Sequence, residues 1–283
     1  VHPSHETRPP SRVVDALTCP VCRAPLARAD GSLRCPAGHT FDVARQGYVN
    51  LLAGAVRTGT ARAGSADTTA MVADRADFLA AGHYAPLADI VADLARRSTE
   101  GRLVVDAGAG TGYYLAAALD RLPAAVGLAL DVSPVAARRA ARAHDRVGAV
   151  VWDVWRPWPV RDEVVDVLLN VFAPRNGPEF HRVLRPGGLL VVATPAADHL
   201  TELGRAAGLL GVDPRKPERL AETLGERFEQ VSTRPLRYPM TLDAADVRRV
   251  VGMGPAGHHR RPAGDGETRR VTASFTVSEY RRR

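Results

Sequence analysis

The stretch that most constrains this chain is VVDAGAGTGYY, residues 104–114. An apolar run ends in Asp106. Glycines follow at Gly108, Gly110 and Gly112, with Thr111 between the last two, and a helix-like segment opens at Tyr113. Glycine tolerates positive φ and has no Cβ to hold a ligand away. A strand running into such a turn and then a helix therefore brings a bound group against bare backbone. The dinucleotide fingerprint G-x-G-x-x-G asks for Gly or Ala at position 113, where this chain has Tyr113. The turn predicts a nucleotide-like ligand just beyond a strand end.

The segments after the turn give it a setting. Apolar runs at 102–106, 125–130, 148–152, 164–171 and 187–193 alternate with amphipathic segments at 113–121, 134–143 and 177–184. Strands alternating with helices predict an α/β fold built on a doubly wound sheet. Upstream, residues 66–97 have helical spacing with a break at Gly82. Downstream, helices are expected near 198–208, 215–225 and 243–251, and two more strands near 228–234 and 271–280.

In an open α/β sheet, ligands bind at the carboxyl ends of the strands. The polar residues at those ends are Asp106, Asp131 in LALDVSP, Asp153 in VVWDVW and Asn170 in LLNVFAP. An acid about 20 residues past the glycine turn hydrogen-bonds ribose hydroxyls, which suits Asp131; Asp153 is placed to take an adenine amino group. Any one of these acids alone reads as a helix cap or a solvated turn residue. Three at successive strand ends identify the ligand as S-adenosylmethionine (SAM), with Asp106, Gly108, Gly110, Thr111, Gly112, Tyr113, Asp131, Asp153 and Asn170 as its candidate contacts.

The N-terminal part has a different chemistry. All three cysteines fall in TCPVCRAPLARADGSLRCPAGHTFD (18–42), where Cys19 and Cys22 form one knuckle and Cys35 and His39 a second. Two such knuckles suit tetrahedral Zn²⁺, and four protein ligands leave no open position, so the metal's role is structural. The expected division is a disordered leader at 1–16, a zinc-binding domain at 17–52, a glycine-rich linker at 53–66 and a methyltransferase domain at 67–283. The leader has no apolar signal-peptide core, and no apolar run approaches the 18 or more residues of a membrane span. A cytoplasmic protein is expected. The net charge is +7, and Lys216 is the only lysine among 38 basic residues. A GC-rich genome accounts for the arginine bias; the basic excess is compatible with RNA. Arg23, Arg28 and Arg34 of the ribbon are either phosphate contacts or solvated surface.

Five segments carry a resemblance. They are GHTFDVARQGYVNLL (38–52) after the ribbon, DTTAMVADRADFLAAGHYAPL (67–87), DAGAGTGYY (106–114), NVFAP (170–174), and TP followed by HLTEL (194–203). Together they resemble the bacterial 23S rRNA guanine-N1 methyltransferases, from about residue 17 to 280. The resemblance implies a class I methyltransferase fold, which ends in an antiparallel strand pair, with the zinc ribbon at its N-terminus. It implies cofactor contacts from Tyr84, Gly112–Tyr113 and His199, and methylation of N1 of a guanine in the helix-35 hairpin of 23S rRNA. Guanine N1 lies on the Watson–Crick edge, so the target must be unpaired or flipped out. Asn170, Phe172 and Arg175 are the candidate catalytic residues, with Asn170 orienting the base and Phe172 stacking on it. The MGPAGHH segment (253–259) is a candidate RNA contact, and the family implies a homodimer. The wording of the ADTT and GYVNLL segments is similar to the macrolide-resistance branch, which modifies guanine 748 and protects against tylosin-type macrolides. The housekeeping enzyme of the neighbouring guanine, a small-molecule methyltransferase of an antibiotic pathway and a non-catalytic SAM- and RNA-binding module are the alternatives.

Overall fold

The structure is a computed structural model that describes residues 9–52, 66–98, 102–204, 222–254 and 267–283. The expected linker lies almost wholly outside these residues. So do most of the helix expected near 215–225, Lys216 and the histidines of MGPAGHH.

The chain first folds at Ser11–Ala16 (α1). This corrects the expectation of a disordered leader through residue 16. Val13 and Val14 are buried, and the backbone of Gly148 leaves the space that Pro9, Pro10 and Val13 fill. Three short strands follow, Ala27–Ala29 (β1), Ser32–Arg34 (β2) and Thr40–Asp42 (β3), pairing as an antiparallel sheet. Tyr48–Asn50 (β4) leaves this small sheet and pairs in parallel with the main one, so the strand order cuts across the boundary expected at residue 52.

Helices Thr69–Ala80 (α2) and Ala85–Ala95 (α3) come next. The Thr68 hydroxyl caps α2 by accepting from the Met71 N–H at 3.2 Å. Gly82, at φ +82°, makes the break between the two helices. The alternating section then runs Leu103–Ala107 (β5), Tyr113–Arg121 (α4), Val126–Asp131 (β6), Pro134–Ala143 (α5), Val147–Val151 (β7), Val165–Val171 (β8), Gly177–Val183 (α6) and Leu184–Pro195 (β9). Ser133 caps α5, and a proline starts that helix where its missing N–H costs nothing. The chain ends with Phe228–Leu242 (β10), Ala244–Gly252 (α7) and Arg269–Arg282 (β11).

The main sheet has eight strands in the order β10-β11-β9-β8-β5-β6-β7-β4. β11 runs antiparallel to both its neighbours, and the strands from β9 through β4 are parallel. Apart from β4 at the edge, this is the class I methyltransferase arrangement. β5, β7 and β8 are buried along their whole length, as strands covered on both faces must be. Helices α3, α4 and α5 cover one face. On the other, α1, α6 and the zinc ribbon share a core: Cys19, Leu33, Cys35 and Phe41 cluster with Val150, Trp152, Trp158 and Phe180.

A helix was expected near 198–208. The structure has a turn and one 3-10 turn at Thr201–Leu203. Leu200 sits at φ +57° because its N–H donates to Thr272 O, and the Glu202 carboxylate accepts from Thr272. β11 pulls the segment flat and puts His199 at the sheet edge.

Candidate active site

The glycine turn lies where β5 passes into α4. The N–H groups of Gly108 and Ala109 donate to Leu130 O at 2.8 and 3.0 Å, which ties the turn to the end of β6. All three glycines have positive φ, and two also face close neighbours. A Cβ on Gly108 would lie 2.5 Å from Ala173 Cβ, in the NVFAP loop after β8. A Cβ on Gly112 would lie 2.9 Å from Ala140 Cα of α5. The turn therefore brings the β8 loop and two helices close together, as well as opening the backbone to a ligand.

Asp131 ends β6 beside this turn. Its carboxylate accepts from Gly110 N and Ser133 N, both at 2.8 Å. Burial raises its pKa, and those two N–H groups pull it back down. Around it runs a ring of contacts that sequence reasoning did not single out. Ser133 Oγ donates to Asp67 O at 3.0 Å, Asp67 pairs with Arg75, and Arg75 lies against Gly110 while donating to Met253 O at 2.6 Å. Residues 67–75 thus close over the end of β6 next to the glycine turn. Asp153 lies past the end of β7, the strand beside β6. Its carboxylate accepts from Trp155 N at 3.0 Å and faces Arg156.

Asp106 is 1% exposed and its Oδ2 has no hydrogen-bond partner. Burial, with a smaller contribution from the Asp131 charge, pushes its pKa up to about 8. Two further buried polar atoms nearby are unpartnered: Tyr114 Oη and Asn170 Oδ1. Buried polar atoms are almost always paired, so three orphans beside one glycine turn mark a place where a polar group docks. The residues fit a nucleoside-bearing cofactor such as SAM.

Above the turn stands a group of aromatic rings. Tyr84, brought in by the N-terminus of α3, bonds through Oη to His199 Nε2 at 3.1 Å. The Ser274 N–H donates to His199 Nδ1 at 3.1 Å. The proton of neutral His199 is thereby assigned to Nε2, which donates to Tyr84 and leaves the phenol its own proton to give. Phe172 completes the group, with ring centroids 6.2 Å from Tyr84, 6.3 Å from Tyr114 and 5.5 Å from Phe275. It is 42% exposed and sits at φ +55°, a strained geometry for a bulky residue. Burial raises the pKa of Tyr84 and of Tyr114 well above the usual phenol value.

The three candidate catalytic residues do not sit together. Phe172 faces the aromatic group. Asn170 is fully buried, and its Nδ2 donates to Ala107 O at 3.3 Å and Pro174 O at 2.9 Å, so its amide holds the loop in shape and does not reach an open base. Arg175 turns toward Tyr280 in the core on the ribbon side, and burial lowers its pKa. The base-orienting role expected of Asn170 is therefore replaced by a loop-holding one, and Arg175, a candidate catalytic residue, lies on the opposite side of the sheet from Phe172, because the backbone of 170–175 aims successive side chains to different faces.

The metal candidates converge. The ligand atoms of Cys19, Cys22, Cys35 and His39 all lie within 4.8 Å of one another. Cys19 Sγ and Cys35 Sγ are 3.6 and 3.3 Å from His39 Nδ1, and Cys22 Sγ is 3.6 Å from Cys35 Sγ. A tetrahedral Zn²⁺ with ordinary bond lengths gives ligand edges of roughly 3.5–3.8 Å, so the donor set fits zinc. Arg23 and Arg28 are engaged in docking: Arg23 donates to Trp158 O at 2.9 Å and Arg28 to Pro9 O. Arg34 donates to Thr40 Oγ1 at 3.2 Å.

Comparison with known proteins agrees with this geometry. A family model for the RlmA N-terminal zinc ribbon matches residues 17–55, and a methyltransferase-domain model matches residues 104–188. The chain is 53% identical to the 23S rRNA (guanine(748)-N(1))-methyltransferase of Streptomyces fradiae over 88% of each protein. It belongs to the 23S rRNA guanine-N1 methyltransferases. A second member of that family, a putative enzyme of Micromonospora griseorubida, is 50% identical over 94% of this chain and 97% of the relative. The YxjB protein of Bacillus subtilis is 33% identical over 86% of this chain and 88% of its own length. As a guanine-N1 methyltransferase of this family, the protein uses SAM as methyl donor and carries a zinc ribbon. No helix among the described residues is long and apolar enough to cross a membrane.

Proposed function

We propose that this enzyme methylates N1 of guanine 748 in 23S rRNA, in the cytoplasm, and so protects the ribosome from tylosin-type macrolides. The observation that carries this reading is the 53% identity to the Streptomyces fradiae guanine-748 enzyme over 88% of each protein.

SAM, when bound, supplies a methyl group on a sulfonium that is already a strong electrophile, so the protein's work is mainly alignment and exclusion of water. Asp131 would hold the ribose hydroxyls and Asp153 the adenine amino group. The Gly108–Gly112 turn offers bare backbone, Tyr113 opens the helix after it, and Tyr84 and His199 would hold the cofactor as a bonded pair. Phe172 stacks on the flipped guanine, and Asn170 fixes the loop that carries it.

When guanine N1 takes the methyl group that bound SAM would supply, the N1 proton must leave. Negative charge then develops on guanine O6. The phenols of Tyr84 and Tyr114 stay protonated because they are buried, so neither serves as the base that takes the N1 proton. The reading is tested by incubating the protein with labelled SAM and either unmodified 23S rRNA or a macrolide precursor. Label in the rRNA is expected; label in the macrolide alone would overturn it.

A further inference from the structure

Two aromatic side chains are exposed among the described residues. Phe172 is one, at 42%; Trp155 is the other, at 53%. The remaining tryptophans, Trp152 and Trp158, are 3% and 0% exposed. An indole normally contributes to stability by burial, so leaving half of one in water is a cost with no return in the fold.

The backbone beneath Trp155 is not loose. Its N–H donates to Asp153 Oδ1 at 3.0 Å, Val154 is buried, and Trp158 Nε1 donates to Val154 O at 3.0 Å. The segment 152–158 is held on both sides, and it presents this one ring outward.

Its position relative to the site is also fixed. Trp155 lies four residues beyond Val151, the carboxyl end of β7, and Phe172 lies one residue beyond the carboxyl end of β8. Both rings thus rise from loops on the same edge of the sheet. β7 and β8 are separated by β6 and β5, three inter-strand steps or about 14 Å. The loops are bonded directly: Asn176, which caps α6 just after the Phe172 loop, donates through Nδ2 to Val154 O at 2.9 Å.

We propose that Trp155 is a second base-stacking contact for the RNA substrate, taking an unpaired nucleotide of the hairpin loop while Phe172 takes the target guanine. A single-stranded loop splays its bases, and an exposed, rigidly held aromatic ring is the usual receptor for them. The rigid segment presents the indole without an ordering cost on binding. The inference rests on the rRNA reading above and assigns that substrate a contact outside the methyl-transfer centre.

The test uses the full-length protein, a helix-35 hairpin RNA and a fully paired duplex of the same length. Because the other two tryptophans are buried, change in indole emission on adding RNA reports mainly Trp155. The hairpin should quench it and the duplex should not. Trp155→Ala should raise the KM for the hairpin roughly tenfold, the loss of one stacking partner, and leave the Kd for SAM within about twofold. Trp155→Phe should restore most of the KM. Equal quenching by hairpin and duplex, or an unchanged KM in Trp155→Ala while the wild type methylates the hairpin, would overturn the proposal and leave the rRNA reading standing. A fall to a smaller oligomer in light scattering, with activity lost in step, would place Trp155 in a protein interface and overturn it too. If the wild type transfers no methyl to rRNA, the broader reading fails first.

Discussion

Tyr84 and His199 lie 115 positions apart and share a hydrogen bond of 3.1 Å, while the Ser274 N–H fixes the other nitrogen of the same imidazole. The chain thus spends a backbone donor of β11 to set the tautomer of one histidine, and the histidine sets the direction of one phenol. Tyr84→Phe keeps the ring and its edge-on packing against Phe78 and Phe275 but removes the donor. The loss of one hydrogen bond, about 1 kcal/mol, corresponds to a Kd for SAM raised roughly fivefold. Calorimetric titration checks it, with the thermal midpoint expected to move little.

Asp106 gives a pH dependence whose sign is fixed. Its pKa is pushed up to about 8 in the fold by burial, and an unfolded aspartate titrates near 3.8. The folded protein therefore holds a proton that the unfolded chain releases across that range. Stability from this group is present below the window and lost as pH rises through it. Asp106→Asn cannot titrate. Compared in thermal unfolding without cofactor from pH 5 to pH 8, the variant should gain on the wild type as pH rises, whatever the constant offset between them. Parallel curves would contradict the assignment.

Zinc removal should be felt beyond the ribbon. Leu33, Cys35 and Phe41 share a core with Val150 and Trp152 of the main domain, and Thr18 N–H donates to Pro159 O at 2.9 Å. The purified protein should hold one zinc per chain by metal analysis. A chelator strong enough to strip it should lower the single thermal midpoint of the whole protein by more than about 5 °C, with no separate ribbon transition.

The alternation of apolar runs and amphipathic segments made the strands and helices around the site legible, because strands buried on both faces and helices buried on one leave different periods. Asp106, Asp131 and the glycines followed, since ligands gather at strand ends. Tyr84 and His199 needed the family resemblance, for nothing in a lone tyrosine or histidine says which strand it will face. The ring through Asp67, Arg75, Ser133 and Gly110 was not legible. Its members come from three segments far apart in the sequence, which only the folded chain brings together. α1 escaped for a similar reason: its polar, proline-rich start reads as a tail, and only the bare backbone of Gly148 gives it somewhere to pack.

Gly108 separates the two roles of the turn. Gly108→Ala puts a Cβ 2.5 Å from Ala173 Cβ at φ +78°, so the substitution strains the turn and pushes the loop that carries Phe172. Gly187→Ala has a similar strain at φ +70° with nothing within 4 Å. Each should cost on the order of 1–3 kcal/mol in stability. Only Gly108→Ala should also lower kcat, by more than about tenfold for a displaced reacting group. Urea denaturation and steady-state rates on the same preparations separate the two.

The proposed reaction places one methyl group on N1 of guanine 748 of 23S rRNA. Primer extension across the helix-35 hairpin, on rRNA treated with the purified enzyme and SAM, tests it most directly, since a methyl on N1 blocks pairing and stops reverse transcription. A new stop at guanine 748 that vanishes in Asp131→Ala is expected. A stop at the neighbouring guanine instead, or none anywhere in the hairpin, would contradict it.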